Sequence, residues 1–213
     1  MSGLSLLILV GALAQPTPGI STDPEYVDIN FGQDGITLEE MIKWWSEATN
    51  RPLSFKENDF RGKGRVMITG TVRVEKSQLD NFFQALLHSQ GFALIPVGPR
   101  HADLRRAEPI DSSRVLKTTA EFVEREKLAE YADQTGRVVM TTIQLKHLPV
   151  SSVRGAVTQL LTNRAAEFAQ EVPANNSLVL VGFAPTLNAL NRLLTVMDIP
   201  APKGLLPVET KKK

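Results

Sequence analysis

From Ile143 to Pro200 the apolar residues switch between a period of two and a period near 3.6, and this stretch restricts the fold more than any other. Ile143 and Leu145 alternate with Gln144 and Lys146, as in a half-buried strand. Val150, Val153, Val157, Leu160 and Leu161 then share one face of a helix. Ala165 to Gln170 reads as a strand, followed by a turn over Pro173 to Asn176. Asn175-Asn176 suits the turn because Asn tolerates left-handed backbone and bonds its own chain. Leu178 to Val181 is a short strand of buried type. Leu187, Leu190, Leu193, Leu194 and Met197 make a second helical stripe, which stops before Pro200. The order is strand, helix, strand, turn, strand, helix, which predicts a small sheet with two helices on one face.

Nearly the same order occurs earlier. Val27, Ile29 and Phe31 alternate with Asp28 and Asn30, and Gly32-Gln33-Asp34-Gly35 is a turn. Thr37 and Glu40 have the spacing of a capping box. Leu38, Met41, Ile42, Trp45 and Ala48 line the helix that follows. Leu53 to Phe55 is a short strand, and Val66, Ile68, Val72 and Val74 continue as another. That strand passes Gly70, which predicts a bulge or a close contact there. Residues 76–90 form a second helix with Leu79, Phe82, Phe83, Leu86 and Leu87 inside. Phe92 to Val97 is a strand, and 103–107 pairs back with it. The charged, irregular stretch 99–136 is long for a loop within a compact domain, so it reads as a linker. Two complete apolar sets on either side of it predict two units that fold independently.

The chain of 213 residues is 42% apolar and 22% charged, which is enough to bury two small cores. Its net charge of +1 argues against a nucleic-acid surface. It has no cysteine, which excludes disulfides, thiolate zinc sites and thiol catalysis. Leu4 to Leu13 is a short apolar run ending in Ala12-Leu13-Ala14, the small-x-small pattern of a cleaved export signal. It is too short to span a bilayer as a helix. The expected division is a signal peptide over 1–14, a flexible leader over 15–24, a first domain over 25–108, a linker over 109–134, a second domain over 135–200 and a disordered tail over 201–213. The fold class is α/β (α+β): two small domains, each a short mixed sheet with two helices packed on it.

The runs Leu145-Lys146-His147-Leu148, Asn176 to Gly182 and Met197-Asp198-Ile199-Pro200 resemble the second periplasmic ring domain of bacterial secretins, the outer-membrane channels of type II secretion and type IV pilus systems. Val27 to Phe31, Gly62 to Val66, Phe82 to Leu87 and Gly91-Phe92 resemble their outermost periplasmic domain, a fold shared with signalling domains of TonB-dependent receptors. The resemblance implies that the second domain is KH-like. It also implies a periplasmic module that associates with itself or a secretin and with inner-membrane secretion components, without the membrane barrel. A periplasmic sensing or adaptor protein built on the same signalling-type domain is the rival reading. Neither implies a cofactor, a nucleic-acid partner or a membrane span after signal cleavage.

Single motifs add little chemistry. Gly32-Gln-Asp-Gly35 fits the Gly-x-x-Gly clamp of KH domains, but Asp34 would repel phosphate, so a turn is the better reading. Arg61-Gly-Lys-Gly-Arg65 lacks the Gly-Lys-Ser/Thr ending of a P-loop and reads as a solvated basic turn. His147 reads as a surface residue, and the three histidines are too scattered for a local metal motif. No nucleophile, base and pocket come together, so enzyme activity is not expected. Trp44 lies about 100° around its helix from the inward Trp45. It either packs at the core's margin or anchors a protein partner, since exposed Trp is enriched in binding hot spots.

Overall fold

The computed structural model describes residues 25–98, 103–161 and 163–200. The expected signal peptide, leader and tail lie outside the described residues. The elements in chain order are β1 (Tyr26–Ile29), α1 (Leu38–Thr49), β2 (Leu53–Ser54), α2 (Glu57–Phe60), β3 (Val72–Glu75), α3 (Leu79–Ser89), β4 (Phe92–Pro96), β5 (Arg105–Pro109), α4 (Ser113–Thr119), β6 (Glu121–Phe122), β7 (Val138–Gln144), α5 (Val150–Leu160), β8 (Phe168–Val172), β9 (Ser177–Phe183) and α6 (Ala184–Met197).

The first unit holds two sheets rather than the single sheet expected. β1 pairs antiparallel with β3, and β2-β5-β4 form a three-stranded mixed sheet. Helix α3 packs against both β3 and β4, and α1 against α3 and β2, so the helices lie between the two sheets. The two sheets are separate because the expected strand through Gly70 is not continuous. Gly70 has φ +87° with open space around it, so it makes a turn, and Val66 forms only an isolated bridge with Ile36. α1 begins as its sequence predicts: the Thr37 hydroxyl accepts from the Glu40 amide, and the Glu40 carboxylate accepts from the Thr37 amide at 2.7 Å.

The second unit is a four-stranded sheet in the order β6-β7-β9-β8. α5 packs over β8 and β9, and α6 over β9 and β7. The strand–helix–strand–strand–helix core is the expected one, and Asn176 takes the left-handed turn at φ 51°. Where a linker was expected, the chain forms elements of its own: α4 packs on β4 in the shared cluster, and the part from β6 onward joins the second unit. α4 buries Leu116, β6 extends the sheet parallel to β7, and the 3-10 segment Arg125–Tyr131 buries Leu128 against α6. The charges of that stretch hid three inward residues, Leu116, Val123 and Leu128, spaced too irregularly to read as one element.

The units share a third apolar cluster. Residues 138 and 140 of β7 and 181 and 183 of β9 project opposite to those facing α5 and α6. Val138, Val181 and Phe183 there meet Ala93 and Ile95 of β4 and Leu116 of α4. β4 is therefore buried on both faces, with Phe92 and Leu94 in the first core. The Leu94 amide donates to the Gly136 carbonyl at 2.9 Å, and a Cβ at Gly136 would lie 3.3 Å from the Gln84 carbonyl. This contact gives a reason for the unbroken apolar run of β9: both of its faces are covered.

Candidate partner-docking groove

Consecutive positions on α1 send Trp44 and Trp45 into different surroundings. Trp45 is fully buried and stacks on Phe83 with ring centres 5.5 Å apart. Trp44 is half-buried, edge-on to Phe83 at 5.0 Å and to Phe31 at 6.4 Å. Trp44 therefore does pack at the core's margin, and it also forms one wall of a groove of about 610 Å³. Val27, Ala48 and Leu79 add apolar lining, while Glu47, Arg51, Lys76 and Asp80 bring charge.

Asp80 is the fixed point of the groove. Its carboxylate accepts from Trp45 Nε1 at 3.0 Å, Arg51 Nη1 at 2.8 Å and Gln84 Nε2 at 2.9 Å. Bonds to an ionised acceptor are among the stronger ones, so this network orders Arg51 at the groove's edge. An apolar lining with a few oriented charges can hold an apolar side chain and select the polar atoms beside it. Sequence reasoning missed Asp80, because its donors come from α1, the turn after α1 and α3, up to 35 residues away.

A second polar network explains the short runs that carried the family resemblance. The Asp198 carboxylate accepts the backbone amides of Lys146 and His147 at 2.7 Å and of Leu148 at 2.9 Å. The Asn176 side chain donates to the carbonyls of Leu145 and Leu148 and accepts from the Val150 amide. Asn176 and Asp198 thus hold the Leu145–Val150 turn from two sides, and the three runs meet in space. Their role here is structural. His147 is exposed and takes part through its backbone.

Other candidate motifs are engaged in the fold. The Arg65 side chain donates to the carbonyls of Asp34 and Gly35, so the glycine-rich turn and the basic turn hold each other. Arg61 pairs with Glu57, and Lys63 lies 5.4 Å from the Phe92 ring centre. Among the described residues, no group of three or more His, Asp or Glu is placed to hold a metal. Among them, too, no helix is long and apolar enough to cross a membrane.

No protein-family model matches the chain. It is 21% identical over 175 residues to the Virion export protein of Salmonella phage IKe, an alignment that takes in 79% of this chain and 39% of that protein. The chain thus spans well under half of that relative's length. Among solved structures it is similar to a chain of the Klebsiella pneumoniae type II secretion system outer membrane complex of PulD, PulS and the PulC HR domain. There the TM-score is 0.59 at 19% identity, covering 77% of this chain and 25% of that one. The N-terminal domain of the secretin XcpQ from Pseudomonas aeruginosa aligns over 83% of this chain and 67% of its own at 18% identity. Its TM-score of 0.32 is too low to compare the arrangement of the parts.

Proposed function

We propose, from a fold that is that of secretin N-terminal domains, that the chain is a non-enzymatic, exported protein-binding module. It works in the periplasm, associating with copies of itself or with a secretin and with inner-membrane components of protein secretion or pilus assembly. The observation that carries the reading is the fold shared with part of a chain in the Klebsiella secretion complex, whose other named members are proteins. The likeness to a phage protein named for virion export points the same way. The groove beside Trp44 supplies a docking place of suitable chemistry: apolar lining, with Arg51 and Asp80 held in place by hydrogen bonds.

The test is capture of partners from the native periplasm at about 0.15 M salt, where surface charges are screened beyond ~8 Å. Wild-type protein is expected to retrieve a secretin or an inner-membrane secretion protein. Trp44→Ala is expected to weaken that capture by about tenfold or more, the loss typical of an aromatic hot spot, while circular dichroism stays unchanged. Recovery of a receptor or a sugar with no secretion component would favour the sensing rival. Equal capture by both proteins would remove Trp44 from the interface.

A further inference from the structure

The entry to β1 runs along one wall of the groove beside Trp44. The Lys76 amide donates to the Glu25 carbonyl at 2.8 Å, one step beyond the Tyr26–Glu75 pair of the β1–β3 ladder. The backbone leading into β1 therefore passes Lys76, and Lys76, Ser77 and Val27 all line the groove. Across from them on α1, Trp44 is half-buried and Ala48 is exposed. The Lys76 side chain is exposed and makes no ion pair among the described residues.

The residues that feed into this strand have matching chemistry. Residues 15–24 read Gln15-Pro16-Thr17-Pro18-Gly19-Ile20-Ser21-Thr22-Asp23-Pro24. Prolines bias a chain toward polyproline II, the form that aromatic-lined grooves accept because little chain entropy is left to lose. Ile20 is the one large aliphatic side chain of the segment, and Asp23 is its one charge. An extended chain spans at most about 3.3–3.6 Å per residue, so Ile20 can lie up to about 17 Å from Glu25. That covers the groove wall, since α1 rises only about 6 Å from Trp44 to Ala48. Asp23 is two residues from Glu25, within reach of Lys76.

We propose that residues 15–24 dock in the groove of their own chain, with Ile20 against Trp44 and Ala48 and Asp23 beside Lys76. This rests on the reading of the groove as a docking place and deepens it: the chain carries its own occupant, which a partner must displace. A short tether supplies an effective concentration in the millimolar range, so a contact too weak to matter between separate molecules still fills the groove. A partner then meets only the fraction of molecules with an open groove, and its apparent affinity falls by that fraction.

The two tryptophans report the contact without any partner. Trp45 is fully buried, so a soluble quencher such as acrylamide reads Trp44. In the full-length chain, Ile20→Asp is expected to raise that quenching severalfold over wild type. A synthetic peptide of residues 15–24 added to the Ile20→Asp protein is expected to restore protection, half-maximally at about 1 mM or below, the concentration that the tether supplies. In a Trp44→Phe background, with folding checked by circular dichroism, Ile20→Asp is expected to change nothing. Unchanged quenching in Ile20→Asp would overturn the proposal. A change that persists without Trp44 would place the effect outside the groove and overturn it too. Wild-type protection that grows with protein concentration would put the segment in another copy's groove and sink the intramolecular contact. Partner capture judges the docking place separately: Ile20→Asp is expected to retrieve more partner than wild type, and a loss of capture on Trp44→Ala alone would keep the groove as a docking place even if the quenching result removed its internal occupant.

Discussion

Asp198 shows how much one side chain does at the end of the second unit. Desolvation pushes its carboxyl pKa up, but the backbone amides of Lys146, Leu148 and His147 outweigh it and hold the pKa below the ordinary carboxylate value. A lowered folded pKa means a contribution to stability that is present above the unfolded value near ~3.9 and is lost as pH falls through the folded one. Asp198→Ala is expected to cost about 1–3 kcal/mol at neutral pH, because three amides lose a charged acceptor and turn to water. Urea titrations at pH 7 and pH 3 check this, and the difference between wild type and variant should shrink at the lower pH. An undiminished difference at pH 3 would mean that charge has no part in the contact. Asp198 was visible in the sequence only as part of a short recurrent run. Its three donors lie about fifty residues away, and nothing local marks them.

Helices and strands follow the apolar periods where one face is buried, except at Ala48, Leu160, Leu193 and Met197, which the helical stripes placed inward and which are exposed. α6 buries Leu187, Leu190 and Leu194, and α5 buries Val150, Val153 and Val157, each at helical spacing. Leu190→Asp is therefore expected to unfold the second unit, because a buried unpaired carboxylate costs several kcal/mol, on the order of the stability of a small domain. Lys146→Glu changes an exposed side chain and is expected to shift stability by no more than about 0.5 kcal/mol. Thermal melts of both variants decide it, and comparable losses would mean that the faces are misassigned. The same reasoning fails for α4, β6 and the 3-10 segment over Arg125–Tyr131. Each is too short to show a period, and each is held by what it packs on: Leu116 against β4 and Leu128 against α6. Arg125 reinforces the last contact by donating to Asn191 and Thr195, both at 2.7 Å.

At the scale of the whole molecule, the cluster of Ala93, Ile95, Leu116, Val138, Val181 and Phe183 ties the two units together. A fragment of residues 135–200 lacks Val123 and Leu128 of the second core. It is expected to be less stable than 112–200 by about 3 kcal/mol or more, since each lost apolar side chain contributes about 1.5–3 kcal/mol when buried. Calorimetry of the two fragments measures this, and equal stability would restore the view of the stretch as a passive linker. The contact between the units is also expected to respond to acid. His88 of α3 lies edge-on to Phe183 at 4.5 Å, and desolvation lowers its pKa more than Glu167 raises it. A lowered histidine pKa disfavours the folded state once the unfolded chain protonates, so stability should decline below about pH 6.5 and level off beneath the folded pKa. His88→Gln should flatten that decline in melts taken between pH 5 and pH 8. By itself the sequence determined the two apolar sets, the capping box of α1 and the order of the longer helices and strands, because periodicity and capping act within a few residues. Only the tertiary structure decided that the first unit has two sheets, that the charged stretch packs on both units, that the units share a core and that Trp44 borders a groove. Those features depend on which faces meet across long spans of chain, and a short or doubly covered element carries no periodic mark of its partner.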